Sequence, residues 1–285
     1  MAATTFENNL VGRWFLGTVA PTAQFNGAPL TYRAVTGTLF GTAGQARLGD
    51  IDQGNIGNCA FLAALGATFS PQSNDSGNRS SAVINQMIIN NGDRTYTMRF
   101  FNPLVGRMEA QYVTVDQRLA YRSDGRLLGA QINGNVLWSA LVERAYAQWR
   151  EWREGAPGFN LIGNGDHPDR PLQFITGRTA LAYGNGANTS SSRRFTDADF
   201  SVISTALQGG RALTAGRYAP SNTDLIVGLH AYTITNAYVN SAGQQRVVVR
   251  NPWGVDGRNR QGADDGFIDL SFAEFQRSFD HVGIA

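Results

Sequence analysis

The sequence lacks several features, and each absence narrows what the protein can be. It has one cysteine, Cys59, and no lysine, so all 24 basic side chains are arginine. One cysteine cannot form an internal disulfide and is typical of a reducing compartment or of a reactive thiol. No stretch reaches the roughly 18 apolar residues of a transmembrane helix, and residues 1–7 lack the pattern of a signal peptide. The sequence therefore predicts no membrane partner, and it leaves the compartment as the cytoplasm or unknown.

Concentrated charge is also missing. The net charge is only +2, and the arginines are dispersed along the chain. The pair Arg193–Arg194 is too short for a nucleic-acid-binding stripe and has no aromatic platform beside it, so we expect no nucleic-acid partner. With 42% hydrophobic residues over 285 positions, the composition predicts a globular protein with a substantial core. We expect a monomer or a part of a longer chain.

Cys59 stands where a glycine-containing turn runs into an apolar, alanine-rich segment, within residues 53–65. A helix that begins at Asn58 or Cys59 places unpaired backbone N–H groups and a partial positive charge beside the sulfur, which favours thiolate. Asn58 suits the N-cap of such a helix. An isolated cysteine in apolar surroundings is more often inert, so the prediction of a nucleophile depends on two further segments.

Those segments are two β-rich runs, 224–235 and 246–254, separated by turn-forming residues at 240–243. If Ser241 and Ala242 form a two-residue loop, Asn251 lies opposite Tyr232, and His230 shares a face of the hairpin with Asn251. Diagonal neighbours of this kind can hydrogen-bond, whereas a register error of one residue would separate them. The sequence therefore predicts a His230–Asn251 pair.

A thiol, an imidazole and an amide, in the order Cys, His, Asn, are the parts of a cysteine peptidase. Cys59 would attack the scissile carbonyl, and His230 would take the thiol proton and later protonate the leaving amine. Asn251 would hold the imidazole tautomer. The side-chain amide of Gln53 would join the Cys59 backbone N–H in an oxyanion hole.

Several separated blocks of the chain resemble the protease core of the calpain family of papain-like cysteine peptidases. They are residues 53–65, 113–119, 137–146, 230–232, 251–254 and 265–275, and residues 39–53 resemble the entry of bacterial members. The resemblance implies a papain-like α+β fold, in which a helical half carries the cysteine and an antiparallel β half carries the histidine and asparagine. We assign the halves to 46–183 and 184–285. Residues 1–45 would be an N-terminal extension, either a pro-segment or a β-rich segment that packs on the core.

The resemblance implies a calpain-like cysteine endopeptidase that hydrolyses peptide bonds in proteins through an acyl-enzyme and requires no cofactor. Its partners would be protein or peptide substrates. Two alternatives stay open. A catalytically silent peptide-binding module would not need both Cys59 and His230, and a Cys-dependent acyltransferase of the transglutaminase type usually orients its histidine with aspartate, not with an asparagine such as Asn251.

Further site residues are implied by the same resemblance. Gly163 and Gly165 match glycines that line the substrate cleft, although a plain turn is the alternative, and Trp253 matches a tryptophan that shields the His–Asn pair, although a core aromatic is the alternative. Calcium candidates are Asp50, Asp256, Asp264 and Asp265. Val136 stands where the family has a glutamate ligand, and since calcium needs six to eight oxygen ligands, we expect weak binding or none.

Periodicity and turn residues predict the remaining elements. We expect helices at 81–90, 136–153, 196–207 and 271–279, strands at 12–19, 30–35, 212–217, 226–238, 244–250 and 266–270, and a hairpin that turns at 102–103. His167 and His281 lack strand context and are expected in loops or at the surface.

Overall fold

The computed structural model describes residues 11–69, 81–184, 195–259 and 262–285. Residues 1–10 of the predicted extension, and Arg193–Arg194, lie outside these ranges. Over the described residues, none of the helices combines the length and the apolar character needed to cross a bilayer.

Most helices precede the large sheet in the chain. The α-helices are α1 Cys59–Ala67, α2 Ala82–Met87, α3 Trp138–Glu154, α4 Gly158–Gly163, α5 Asp169–Thr176, α6 Asp197–Gln208 and α7 Phe272–Ser278. Single wider or tighter helical turns occur at Gly12–Leu16, Gly41–Ala43 and Leu48–Asp50. Three predicted helices are present with boundaries close to those expected. Helix α2 is shorter than predicted because the chain becomes extended at Ile88 and continues as a strand.

The strands form small antiparallel sheets in the first half and one large antiparallel sheet in the second. They are β1 Gln24–Phe25, β2 Ala28–Pro29, β3 Thr31–Ala34, β4 Ile88–Asn90, β5 Thr95–Leu104, β6 Arg107–Asp116, β7 Arg118–Tyr121, β8 Leu181–Gly184, β9 Leu213–Arg217, β10 His230–Val239, β11 Gln245–Arg250, β12 Phe267–Ser271 and β13 His281–Ile284. The large sheet has the order β12-β11-β10-β9-β13-β8. The helices and the antiparallel sheets give the predicted papain-like α+β fold.

Helix α1 is the centre of the molecule. All of its residues are buried, and their alanine and leucine side chains favour the helical conformation and tolerate burial on every side. It packs against β10 of the large sheet and against α5. Phe61 of α1 stacks on Tyr146 of α3 with 3.9 Å between ring centroids, and Thr233 of β10 donates a 2.7 Å hydrogen bond to the carbonyl of Ala63. These contacts hold the end of α1 that carries Cys59 against the strand that begins with His230.

The β10–β11 hairpin reaches the predicted register by a different route. Its loop has three residues, 241–243, closed by a 3.0 Å hydrogen bond from Asn240 N to Gln244 O, and so the predicted two-residue loop is wrong. A register shift between Ile234 and Asn236 compensates for the extra residue. Beyond that bulge Thr233 pairs with Arg250, which continues to the predicted alignment of Tyr232 with Asn251. The bulge therefore restores the strand register that places His230 beside Asn251.

Four other predictions differ from the structure, and one of them is the strand expected at 226–238, which begins only at His230. The β5–β6 hairpin turns at 105–106, where Gly106 has φ 76°, while Pro103 stays in the strand opposite Met108. Residues 12–16 form a helical turn instead of a strand. His281 is buried in β13, between β8 and β9, and does not lie in a surface loop. A four-residue strand that is buried on both faces has no polar alternation by which the sequence could reveal it.

The described part of the N-terminal extension packs on the helical half. Thr22 donates backbone and side-chain hydrogen bonds to Glu151 of α3, at 2.9 and 2.7 Å. Strand β3 pairs with β7, as expected for a β-rich packing segment. The division of the chain at residues 45 and 183 stays a prediction.

Candidate active site

A cleft of about 1060 Å³ lies between the two halves. The turn before α1, the start of β10 and the loop after β11 all reach it. Of the residues proposed from the sequence it is lined by Gln53, Cys59, Gly165, His230 and Trp253. The structure thus brings side chains together that are nearly 200 positions apart in the sequence.

Cys59 is the first residue of α1, and its side chain is nearly buried, with 9% of the residue exposed. Burial raises the pKa of the thiol, while backbone hydrogen bonds, the largest from Ala231, act in the opposite direction. Ala231 directly follows His230 on β10. Burial of the side chain therefore favours the neutral thiol, and a thiolate has to form by transfer of the proton to a nearby base.

His230 has the hydrogen bond expected of such a base. Its Nε2 lies 2.9 Å from Oδ1 of Asn251. Because a carbonyl oxygen only accepts, Nε2 carries the proton and Nδ1 is the basic nitrogen. Burial lowers the pKa of His230 to about 4, and the bond to Asn251 acts against this shift. The imidazole is therefore neutral at neutral pH and able to take a proton.

The orientation of the Asn251 amide is fixed on both sides. Its Oδ1 also accepts from the backbone N–H of Trp253 at 3.0 Å, and its Nδ2 donates to the carbonyl of Asp256 at 3.3 Å. Turning the amide by 180° would reverse both pairings. The ring of Trp253 packs against His230, with 4.6 Å between centroids and 43° between the ring planes.

Gln53 lies in the same turn as the thiol. Its backbone N–H donates to the carbonyl of Pro252 at 2.8 Å, which ties this turn to the loop that carries Asn251. One hydrogen of its Nε2 is donated to the carbonyl of Ile56 at 2.7 Å. The second hydrogen of the same amide is the group that an oxyanion hole requires.

The two predicted cleft glycines have different positions. Gly165 lines the cleft with φ 85°, and its N–H donates to the carbonyl of Gly57 at 2.9 Å. Gly163 is buried, and its carbonyl accepts from the N–H of Gly57 at 2.8 Å. A Cβ on Gly163 would lie 2.6 Å from the ring of Phe25, and its role in binding substrate stays a prediction.

Sequence reasoning missed a polar group on the far side of the cleft. His167 and Tyr218 both line it, and His167 Nδ1 lies 2.8 Å from the Tyr218 hydroxyl. Leu229, which is 67% exposed, lines the same region and holds a left-handed φ of 49°. Leucine rarely adopts a left-handed backbone conformation. Nothing in the sequence could therefore have predicted this conformation at Leu229, next to His230.

The calcium candidates accept hydrogen bonds from nitrogen. Asp50 Oδ2 accepts from Trp138 Nε1 at 2.7 Å, Asp264 Oδ1 from the N–H of Asp256 at 2.9 Å, and Asp256 Oδ1 from the N–H of Gly266 at 3.0 Å. Asp265 likewise accepts from the N–H of Phe267. Throughout the described ranges, no group of three or more His, Cys, Asp or Glu residues is arranged to hold a metal ion. These residues do not fit a calcium site, which needs several convergent oxygens.

One buried carboxylate near the thiol was also missed. Glu143, on α3, accepts hydrogen bonds from the N–H of Ala130 and from the side chain of Asn58, the residue before Cys59. Burial raises the pKa of Glu143 to about 7, and the two hydrogen bonds act against this shift. Glu143 lies in the predicted helix 136–153, among residues that the structure shows to be buried. A carboxylate is rarely buried, so its place in this helix was a signal that could have been used.

Comparison with known proteins agrees with this geometry. A family model described as calpain family cysteine protease matches residues 35–264. Calpain-9 of Mus musculus is 27% identical over 282 residues, the calpain-2 catalytic subunit of Macaca fascicularis 27% over 273 residues, and calpain-8 of Rattus norvegicus 24% over 279 residues. Each match covers 85% of this chain and 36% of the relative. The chain thus spans little more than a third of the length of these relatives.

Proposed function

Because this chain belongs to the calpain family of cysteine proteases, we propose that it is an active endopeptidase that hydrolyses peptide bonds in proteins through an acyl-enzyme. The observation that supports this most directly is the hydrogen bond from His230 to Asn251, in the cleft that Cys59 also lines. Cys59 is the nucleophile, His230 the general base and acid, and Asn251 the orienting group.

The first half of the reaction forms a thioester. The thiol proton of Cys59 passes to Nδ1 of His230, and the sulfur attacks the scissile carbonyl carbon. The resulting oxyanion accepts hydrogen bonds from the Cys59 backbone N–H and from Nε2 of Gln53. When the tetrahedral intermediate collapses, the C–N bond breaks and His230 gives its proton to the leaving amine.

The second half returns the enzyme to its starting state. His230 takes a proton from water as the water oxygen attacks the thioester carbon, and the C–S bond breaks. The sulfur leaves as thiolate and regains the proton from His230, and a carboxylic acid product is released. Asn251 holds the imidazole in one tautomer throughout, and Trp253 keeps bulk water from the His230–Asn251 hydrogen bond.

Substrate is proposed to bind as an extended strand along the wall that contains Gly165. With no side chain at this position, the backbone of a peptide can approach closely, and no atom lies within 4 Å of where its Cβ would be. The same cleft would bind protein segments that are unfolded or exposed enough to extend. Calcium is not assigned a role in this proposal, because the candidate carboxylates do not fit a site.

The test is labelling of the thiol by a peptidyl epoxide, read by intact mass, combined with cleavage of a mixed peptide library. We expect single-site labelling that is lost in C59A and at least about 100-fold slower in H230A. Labelling no faster than that of a free thiol would indicate a silent binding module. Incorporation of an amine without peptide cleavage would indicate an acyltransferase. Repeating the assay with added calcium tests the metal directly.

A further inference from the structure

Within the described ranges, the buried carboxylate of Glu143 has no ion pair with an arginine. It is 3% exposed, and the charges and donors that shift its pKa include no arginine. Both carboxylate oxygens accept from the backbone N–H of Ala130, at 2.9 and 2.8 Å, and Oε1 also accepts from Nδ2 of Asn58. Burial of a carboxylate without an ion-pair partner is unfavourable. Its two hydrogen-bond partners, Asn58 and Ala130, indicate what it contributes.

Its first contact leads directly to the nucleophile. Asn58 occupies the N-cap of α1, where an asparagine side chain normally accepts from a backbone N–H of the first turn. Here the side chain makes no capping bond and is directed to Glu143 instead. The backbone carbonyl of Asn58 thus accepts from the first turn of α1, while its side chain is held by α3.

Its second contact leads to the other side of the same turn. Ala130 belongs to a loop that makes two backbone hydrogen bonds with the turn before α1, from Asn55 N to Leu128 O at 3.0 Å and from Gln131 N to Asp52 O at 2.8 Å. The loop packs tightly against the carboxylate, because a Cβ on Gly129 would lie 1.6 Å from Oε2 of Glu143. The carboxylate therefore contacts the end of segment 52–59 directly, through Asn58. It supports the start of the segment indirectly, through the loop that contains Ala130.

From these contacts we infer that Glu143 is a positioning residue, whose carboxylate holds residues 52–59 so that the Cys59 thiol and the Gln53 amide stand in reacting geometry. This inference rests on the proposed peptidase function. It assigns Glu143 no contact with substrate and no share in proton transfer. Its action is on the rate of acylation, since misplacing a nucleophile by about 1 Å can cost about 100-fold.

The chemistry of the pair predicts which replacements are tolerated. In E143Q the amide oxygen can accept from Ala130, and once the Asn58 amide turns by 180° the new amide nitrogen can donate to Asn58 Oδ1, which has no hydrogen-bond partner among the described residues. In E143L neither donor is satisfied. In N58D two carboxyl groups face each other, and the double variant N58D/E143Q restores a carboxylate–amide pair with the two groups exchanged.

The test measures kcat and KM for peptide cleavage, with unfolding midpoints recorded for every variant. We expect E143L to lower kcat at least about 100-fold with KM changed less than about threefold, and E143Q to stay within about tenfold of wild type. N58D should lose activity at alkaline pH, where both carboxyl groups are charged, and N58D/E143Q should regain at least about tenfold over N58D there. The matched control is Q148L, which replaces a buried polar side chain of the same helix whose polar atoms bond to no part of the turn.

Each result has a defined meaning. If E143L does not fold, the comparison of N58D with N58D/E143Q decides, because the double variant restores an amide-to-carboxylate hydrogen bond between positions 58 and 143. Activity of E143L equal to that of Q148L, or no rescue in N58D/E143Q, would overturn the positioning role alone. An inactive wild type whose thiol labels no faster than a free thiol would instead overturn the proposed function, and the positioning role with it.

Discussion

The two walls of the cleft are built in different ways. On one wall, which we call the regular wall, His230 is the first residue of β10 and Asn251 directly follows β11, and the register of these antiparallel strands, including its bulge, decides their distance. On the other wall, Cys59 and Gln53 are held by an irregular turn that has no sheet register and depends on close backbone contact and on a buried carboxylate. The base is therefore positioned by a repeating pattern, and the nucleophile by individual contacts that no repeat enforces.

The largest expected effect tests whether both walls are needed at all. C59A should abolish peptide cleavage, and H230A should lower it by about 10⁴-fold or more, because thiol and imidazole act as a unit. The fold should survive in C59A, since only the sulfur is removed from a small buried side chain, at a cost of about 1 kcal/mol. Cleavage rates and thermal unfolding are measured side by side. Unchanged cleavage by folded C59A would refute the mechanism.

The next effect tests the irregular wall. G54A should lower stability by about 3 kcal/mol and depress kcat sharply, because the new Cβ would lie 1.8 Å from the carbonyl oxygen of Gly129 and the turn must move. Denaturant unfolding and cleavage kinetics report the two losses.

The control for G54A is G49A, a few residues earlier. A Cβ at Gly49 meets no atom within 4 Å and the backbone there is not left-handed, so G49A should change stability by less than about 1 kcal/mol. Equal losses in the two variants would show that any added methyl group is harmful in this region. The close approach of the turn to Gly129 would then have no special role.

This contrast explains how much the sequence could reveal. The His230–Asn251 pair was predicted because strands have a period of two and a hairpin fixes register, and it survived a wrong loop length only because a bulge near Thr235 compensated. The contacts of Glu143 and Gly54 depend on loop 127–131, which follows no period. Tertiary contacts of loops, such as the approach of His167 to Tyr218, likewise leave no trace in local sequence.

Titration should distinguish the walls, because their buried groups shift in opposite directions. Burial raises the pKa of Glu143 to about 7 from 4.5, so the folded state keeps this proton to higher pH than the unfolded chain does. Stability contributed by this group is lost as the pH rises from about 4.5 to 7, by up to about 3 kcal/mol. E143Q cannot titrate, and its stability relative to wild type should therefore increase across that window.

The matching measurement uses His230, whose pKa is lowered to about 4 from 6.5. Here the unfolded chain takes up its proton first, so stability is lost as the pH falls from about 6.5 to 4. H230Q should remove this loss, the reverse of the change expected in E143Q. Urea unfolding midpoints at a series of pH values check both, and parallel curves for E143Q and wild type would refute the assignment to Glu143.

The smallest expected effect concerns Asn251, which orients His230 but touches no reacting atom. N251A should lower kcat by roughly 10 to 100-fold and leave residual activity, because His230 keeps its base but loses the acceptor that fixes its tautomer. N251D is the sharper comparison. A carboxylate accepts from both His230 and Trp253, yet it cannot donate to the carbonyl of Asp256, and its charge raises the pKa of the imidazole.

If orientation alone matters, N251D should recover much of the activity lost in N251A, and the acidic limb of its pH–rate profile should shift to higher pH. Cleavage rates from about pH 4 to 9 for wild type, N251A and N251D measure both quantities. Equal rates for all three at every pH would mean that the strand register alone holds the imidazole. The His230 wall would then depend on strand register alone and need no orienting side chain. The Cys59 wall would still depend on individual contacts, so the two walls would differ more than their hydrogen bonds indicate.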